Sequence, residues 1–147
     1  MTKVEFLKTL TKSWFGTSQQ DSIHAQLLRT RGLKKLADKF MAESDEEWEE
    51  AKKVNARLIE LGETPEVEIE KYPVITDVKE MLEFTCKMAS EALPNMSKFL
   101  SEFDDDYVTK DMLQKFIIDE QEHYGWVKEH LCIIEQIGID NYLIEQL

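Results

Sequence analysis

Two apolar stripes of helical period run through this chain, and each is interrupted near its middle by a pair of metal-ligand side chains three residues apart. The first reads Leu33, Leu36, Phe40, Glu47, Ala51, Val54, Leu58, Leu61, and carries Glu47-x-x-Glu50. The second reads Met112, Phe116, Glu120, His123, Val127, Leu131, Ile134, and carries Glu120-x-x-His123. Residues three apart on a helix share a face, so each pair can grip one ion. A carboxylate on a core-facing stripe is costly unless something compensates its charge. The chain must therefore fold as helices that turn acidic side chains inward.

The apolar period predicts four long helices, at about 3–30, 32–61, 75–101 and 106–136, and a short fifth at about 139–146. Gly32, Gly62 and Gly138 stand where helices one, two and four stop, and the sequence has only five glycines and three prolines. Short links join helices one to two and three to four, so each pair is expected to form an antiparallel hairpin. The link from Glu63 to Thr76 differs: it holds Pro65 and Pro73 and a strand-like alternation at Glu66-Val67-Glu68-Ile69. Roughly 13 extended residues reach about 43 Å, close to the length of a long helix. Such a crossover would make helices two and three parallel. The predicted fold class is all-α, a four-helix bundle with one long crossover and a short fifth C-terminal helix, in a single domain over residues 1–147. With centres near 47 and 121, helices two and four would turn their ligand pairs toward each other, the construction of di-metal carboxylate bundles.

The balance of 30 acidic against 18 basic residues gives a net charge of −12. Without a basic tract to displace counterions from phosphates, neither nucleic acid nor an anionic membrane is expected as a partner, and cations are the natural clients. The N-terminal stretch carries Lys3, Glu5 and Lys8, unlike a secretory signal, and no apolar run reaches membrane-spanning length. A cytoplasmic protein is expected. Cys86 and Cys132 lie far apart, in neither C-x-x-C nor finger spacing, and read as reduced thiols.

Several stretches resemble the bacterioferritins, and the likeness covers nearly the whole chain. They are Arg31-Gly-Leu-Lys-Lys-Leu36, Glu43-Ser44, Leu61-Gly-Glu-Thr-Pro65, Asp77-Val78 with Glu80-Met-Leu82, Tyr107-Val108 with Lys110-Asp-Met112, Asp119-Glu-x-Glu-His123, and Ile137-Gly-Ile-Asp-Asn-Tyr-Leu143. The resemblance implies a ferritin-like bundle that stores and detoxifies iron in a hollow homo-oligomeric cage, usually of 24 subunits, with a ferroxidase di-iron centre in each subunit. The bridging, catalytic carboxylates of that centre fall on Glu47 and Glu120, and its terminal histidines on Glu50 and His123. Metal ligation is thus expected at Glu47, Glu50, Glu120 and His123. The single carboxylates of helices one and three fall on Trp14 and near Ala89, so both are missing.

That loss predicts an altered centre, holding one ion well or two loosely. Asp21 lies on the stripe of Trp14 but two turns along, roughly 10 Å away at helical rise, too far for the same ion unless helix one slips by a turn. Cys86 is one turn from Ala89, and reads first as a small buried side chain. The family's haem-binding methionine falls on Trp48, whose indole has no lone pair for axial ligation, so the expected cofactor is non-haem iron.

Other charges have plainer readings. Asp45, Glu46 and Glu49 fall off the apolar stripe and can pair with Lys52 and Lys53. The run Glu102-Phe-Asp-Asp-Asp106 reads as a helix cap, with a cation-concentrating pore as the alternative. His130 reads as exposed or interfacial. Two further functions stand beside the ferroxidase cage: a non-catalytic cage or metal-buffering subunit, and a Dps-type mini-ferritin, a 12-mer. For the latter, helix-two carboxylates are missing near Lys52 and Ala56.

Overall fold

The computed structural model describes residues 1–147 and contains helices and no strand. The order is α1 (Lys3–Thr30), α2 (Lys34–Glu60), α3 (Val78–Leu100), a 3-10 turn (Ser101–Phe103), α4 (Tyr107–Ile137) and α5 (Ile139–Glu145). Polar caps start three of the long helices. Thr2 and Glu5 form a reciprocal capping box on α1, Asp77 accepts from the Glu80 amide on α3, and Asp106 accepts from the Thr109 amide on α4. The carboxylate of the acidic turn thus caps a helix, as its sequence suggested. Helices α1, α2 and α4 give way to Gly32, Gly62 and Gly138, all with positive φ that a side chain would resist. Pro94 sits inside α3 without ending it.

The chain divides into two compact units, residues 1–74 with 146–147, and residues 75–145. In the first, α1 and α2 form the expected antiparallel hairpin. Partners climb on one helix as they descend on the other: Phe15 with Trp48, Ser18 with Ser44, His24 with Phe40, Arg29 with Asp38. Phe6, Leu7, Leu28, Leu36, Ala37, Ala51, Val54 and Leu58 are almost wholly buried. Such apolar burial is the main stabilising contribution in a helix pair of this kind.

One polar contact fixes the level of the two helices. Ser18 Oγ donates to the Ser44 carbonyl and Ser44 Oγ to the Ser18 carbonyl, each at 2.7 Å, and both residues are buried. Replacing Ser44 by alanine is expected to cost about 1 kcal/mol, the net worth of a buried hydrogen bond. Chemical denaturation should show it as a lower midpoint with an unchanged slope.

The crossover lies on α1 as an extended arm. Glu66 pairs with Lys8 at 3.2 Å, Glu68 and Glu70 with Lys12 at 3.0 and 3.3 Å, and the Glu70 amide donates to the Lys12 carbonyl. Tyr72 Oη meets Ser13 Oγ at 2.8 Å, and Gln20 donates to the Pro73 carbonyl at 2.7 Å. The arm therefore runs in the direction of α1, from Lys8 toward Gln20, and carries the chain back past α2. The alternation at residues 66–69 gives an extended segment outside any sheet. It turns glutamates to lysines and leaves Val67 fully exposed.

In the second unit α3 and α4 pack on each other, and α5 packs on α4. Met81, Leu82, Leu113, Phe116 and Val127 are buried. The short fifth helix is anchored through Tyr142, which is 1% exposed and whose Oη lies 2.6 Å from His130 Nδ1. The His130 ring stacks on Trp126 with centroids 3.9 Å apart. His130 is thus half-buried and built into the α4–α5 junction, more enclosed than an exposed histidine. Burial pushes the Tyr142 phenol well above its ordinary value, so it stays protonated and available to donate.

Candidate metal centre

On α2, Glu47 and Glu50 fall on the inward phase of the helix. Glu50 is 7% exposed, Glu47 is partly buried with its Oε1 enclosed, and Glu43, one turn before Glu47, is buried and bound to Lys39 at 3.0 Å. Asp45, Glu46 and Glu49 face solvent, and Glu49 pairs with Lys52 at 2.8 Å. The acidic run thus splits by helical phase into a solvated face and an inward one. On α4, Glu120 and His123 stand one turn apart and half-buried, with His123 Nδ1 enclosed. Its ring lies nearly parallel to Trp126, centroids 6.1 Å apart. Carboxylate oxygen and imidazole nitrogen are a donor set that suits iron, manganese or zinc.

Trp14 is buried at 8% exposure, and Ala89 is fully buried. An indole and a methyl group occupy these positions, and neither can ligate a metal. Trp48 is exposed, its ring meeting Phe15 edge-on at 4.7 Å. Cys86 and Cys132 are free thiols.

Asp21 departs from the sequence reading. Its side chain is buried and hydrogen-bonded to Glu47, with Glu43 close enough to act on its charge. Counting rise along α1 placed Asp21 too far away, because it ignored where side chains lean. Each helical side chain tilts toward the N-terminus of its own helix. In an antiparallel pair Asp21 leans toward the level of Ser18 and Glu47 toward that of Ser44, which are the two residues in contact. Burial raises the Asp21 carboxyl to about 6, against the opposing pull of the Glu47 hydrogen bond, and the Glu43 charge adds to the rise. One turn on, buried His24 packs against Phe40, and desolvation lowers its basicity.

Residues 4–137 match the ferritin-like domain family. Bacterial ferritin of Synechocystis sp. is 30% identical over 145 residues, covering 96% of this chain and 93% of that protein. Bacterial ferritin of Pseudomonas aeruginosa is 29% identical over 147 residues, 98% and 96% of the two chains. Bacterioferritin of Brucella melitensis is 28% identical over 130 residues, 86% and 81% of the two. The chain belongs to the ferritin-like family. That membership supports iron storage as its general role, and no helix is long and apolar enough to cross a membrane.

Proposed function

We propose that this protein is a cytoplasmic iron-storage subunit, a single domain that binds ferrous iron through Glu47, Glu50, Glu120 and His123 and oxidises it. Glu47 and Glu120 act as the bridging, catalytic carboxylates. The observation that carries this reading is the burial of Glu50 and of Glu47 Oε1 on an inward helical turn, in a chain of this family. Buried carboxylates are costly without a compensating cation, and their hard oxygens stabilise ferric more than ferrous iron. Iron gives up its electron to dioxygen or peroxide, so it is the substrate and then the stored cargo. With Trp14 and Ala89 in place of two carboxylates, the ligand count suits one well-held ion or two loosely held ones, and oxidation is slow. The iron is non-haem, since Trp48 offers no axial ligand.

The subunits assemble into a closed homo-oligomeric cage of 24. Supporting self-association is an apolar surface at Val67, Ile69, Val74 and Trp48, beside an open groove of about 530 Å³ lined in part by Phe15, Ile23, Trp48 and Ile69. Ferrous iron added to the purified protein in air, followed by near-ultraviolet ferric absorbance, tests the chemistry. The expected result is oxidation faster than in buffer alone, reduced to the buffer rate in Glu47→Ala and His123→Ala while light scattering shows the particle intact. Oxidation by Glu47→Ala at the wild-type rate would refute the site.

A further inference from the structure

Asp21 occupies a buried row of α1 with Trp14, Ala25 and Leu28, yet the groups it faces across the helix pair are Glu47 and Glu43. A fold that needed only packing there would gain by an apolar residue, because a buried carboxyl meeting other acids is costly. We propose that Asp21 is the α1 ligand of the iron site, binding the metal beside Glu47. This rests on the metal-site reading above and extends it to a side chain that reading leaves out.

Geometry supports the assignment. Hydrogen-bonded carboxyl oxygens lie about 2.5–3.0 Å apart. Two oxygens on adjacent corners of an octahedral ion with bonds of about 2.1 Å are separated by about 3.0 Å. An ion can therefore enter between Asp21 and Glu47 with little movement of either helix. The Ser18–Ser44 clasp, at the level toward which both side chains lean, holds that spacing. Bundle metal sites draw carboxylates from several helices, and α1 has none to offer at position 14. Asp21 supplies it from two turns further along.

Anaerobic titration with Co(II), read by calorimetry and by the visible d–d bands, tests the assignment on the intact protein. Asp21→Asn keeps the shape and a hydrogen bond but removes the charge. It is expected to bind Co(II) about 10–100-fold more weakly, with shifted bands, while the metal-free variant melts no lower than wild type. If Asp21→Asn titrates like wild type while Glu47→Ala loses Co(II), Asp21 is no ligand and the Glu47 site stands. If wild type takes up no Co(II) and Glu47→Ala changes nothing, both readings fall together. Should Asp21→Asn fail to fold, Asp21→Glu carries the test: its longer arm must move the bands, and bands identical to wild type overturn the proposal.

Discussion

Replacing Gly16 by alanine is expected to lower the unfolding free energy by about 2 kcal/mol, a fall in melting temperature of roughly 4–8 °C. A Cβ at position 16 would stand 2.3 Å from the Glu70 carbonyl oxygen and 3.0 Å from the Tyr72 ring. The obstacle is backbone, so no side-chain rotation relieves it. Either the arm lifts, losing the Glu70–Lys12 amide bond and the Tyr72–Ser13 contact, or α1 shifts against α2. The higher helix propensity of alanine returns about 1 kcal/mol and is included in the net figure. Gly125→Ala is the control: nothing lies within 4 Å of its new Cβ, so the same substitution should be neutral or stabilising. Thermal melts of both variants decide the matter, and equal behaviour would mean that the arm is not seated on α1.

Restoring a carboxylate at position 14 should have a larger effect. Trp14→Glu removes a buried indole, which costs about 3–5 kcal/mol in a core that cannot collapse fully, and buries an acid in its place. The metal-free variant is therefore expected to melt roughly 10 °C below wild type. If position 14 faces the iron site, as the resemblance implies, a divalent ion at a hundred times its dissociation constant returns about 2.7 kcal/mol. The measurement is a pair of melts with and without Mn(II) for each protein. A metal-induced gain in Trp14→Glu no greater than in wild type would place residue 14 away from the metal. An unchanged melt without metal would remove Trp14 from the core.

The helices were legible because three signals coincide along this chain: an apolar period, an acidic run ending at the Asp106 cap, and glycines at 32, 62 and 138. The split of the acidic run was legible for the same reason, since helical phase alone separates Glu47 and Glu50 from Asp45, Glu46 and Glu49. Asp21 was misjudged because rise per residue measures separation along one axis, while the Asp21–Glu47 contact depends on opposed side-chain lean across two. His130 was read as exposed or interfacial, and its place in the α4–α5 junction was missed because its partner Tyr142 lies twelve residues on, beyond the helix stop at Gly138. The alternation at 66–69 signalled an extended backbone correctly, but period two cannot tell whether neighbours come from a strand or from a helix.

That ambiguity has a structural use. Lys8 and Lys12 are four residues apart on α1, a rise of about 6 Å, while alternate residues of an extended chain advance about 6.6 Å. The two rulers nearly agree, so Glu66, Glu68 and Glu70 mesh with the lysines like teeth of matched pitch. A slip of the arm by one residue would swing every glutamate to solvent and press Val67 and Ile69 onto charged groups. A slip by two would re-engage the lysines but forfeit the Tyr72–Ser13 and Gln20–Pro73 hydrogen bonds and carry the Tyr72 ring away from Gly16. The arm thus has a single seating, indexed by charge along its length and by one bare glycine at a single notch.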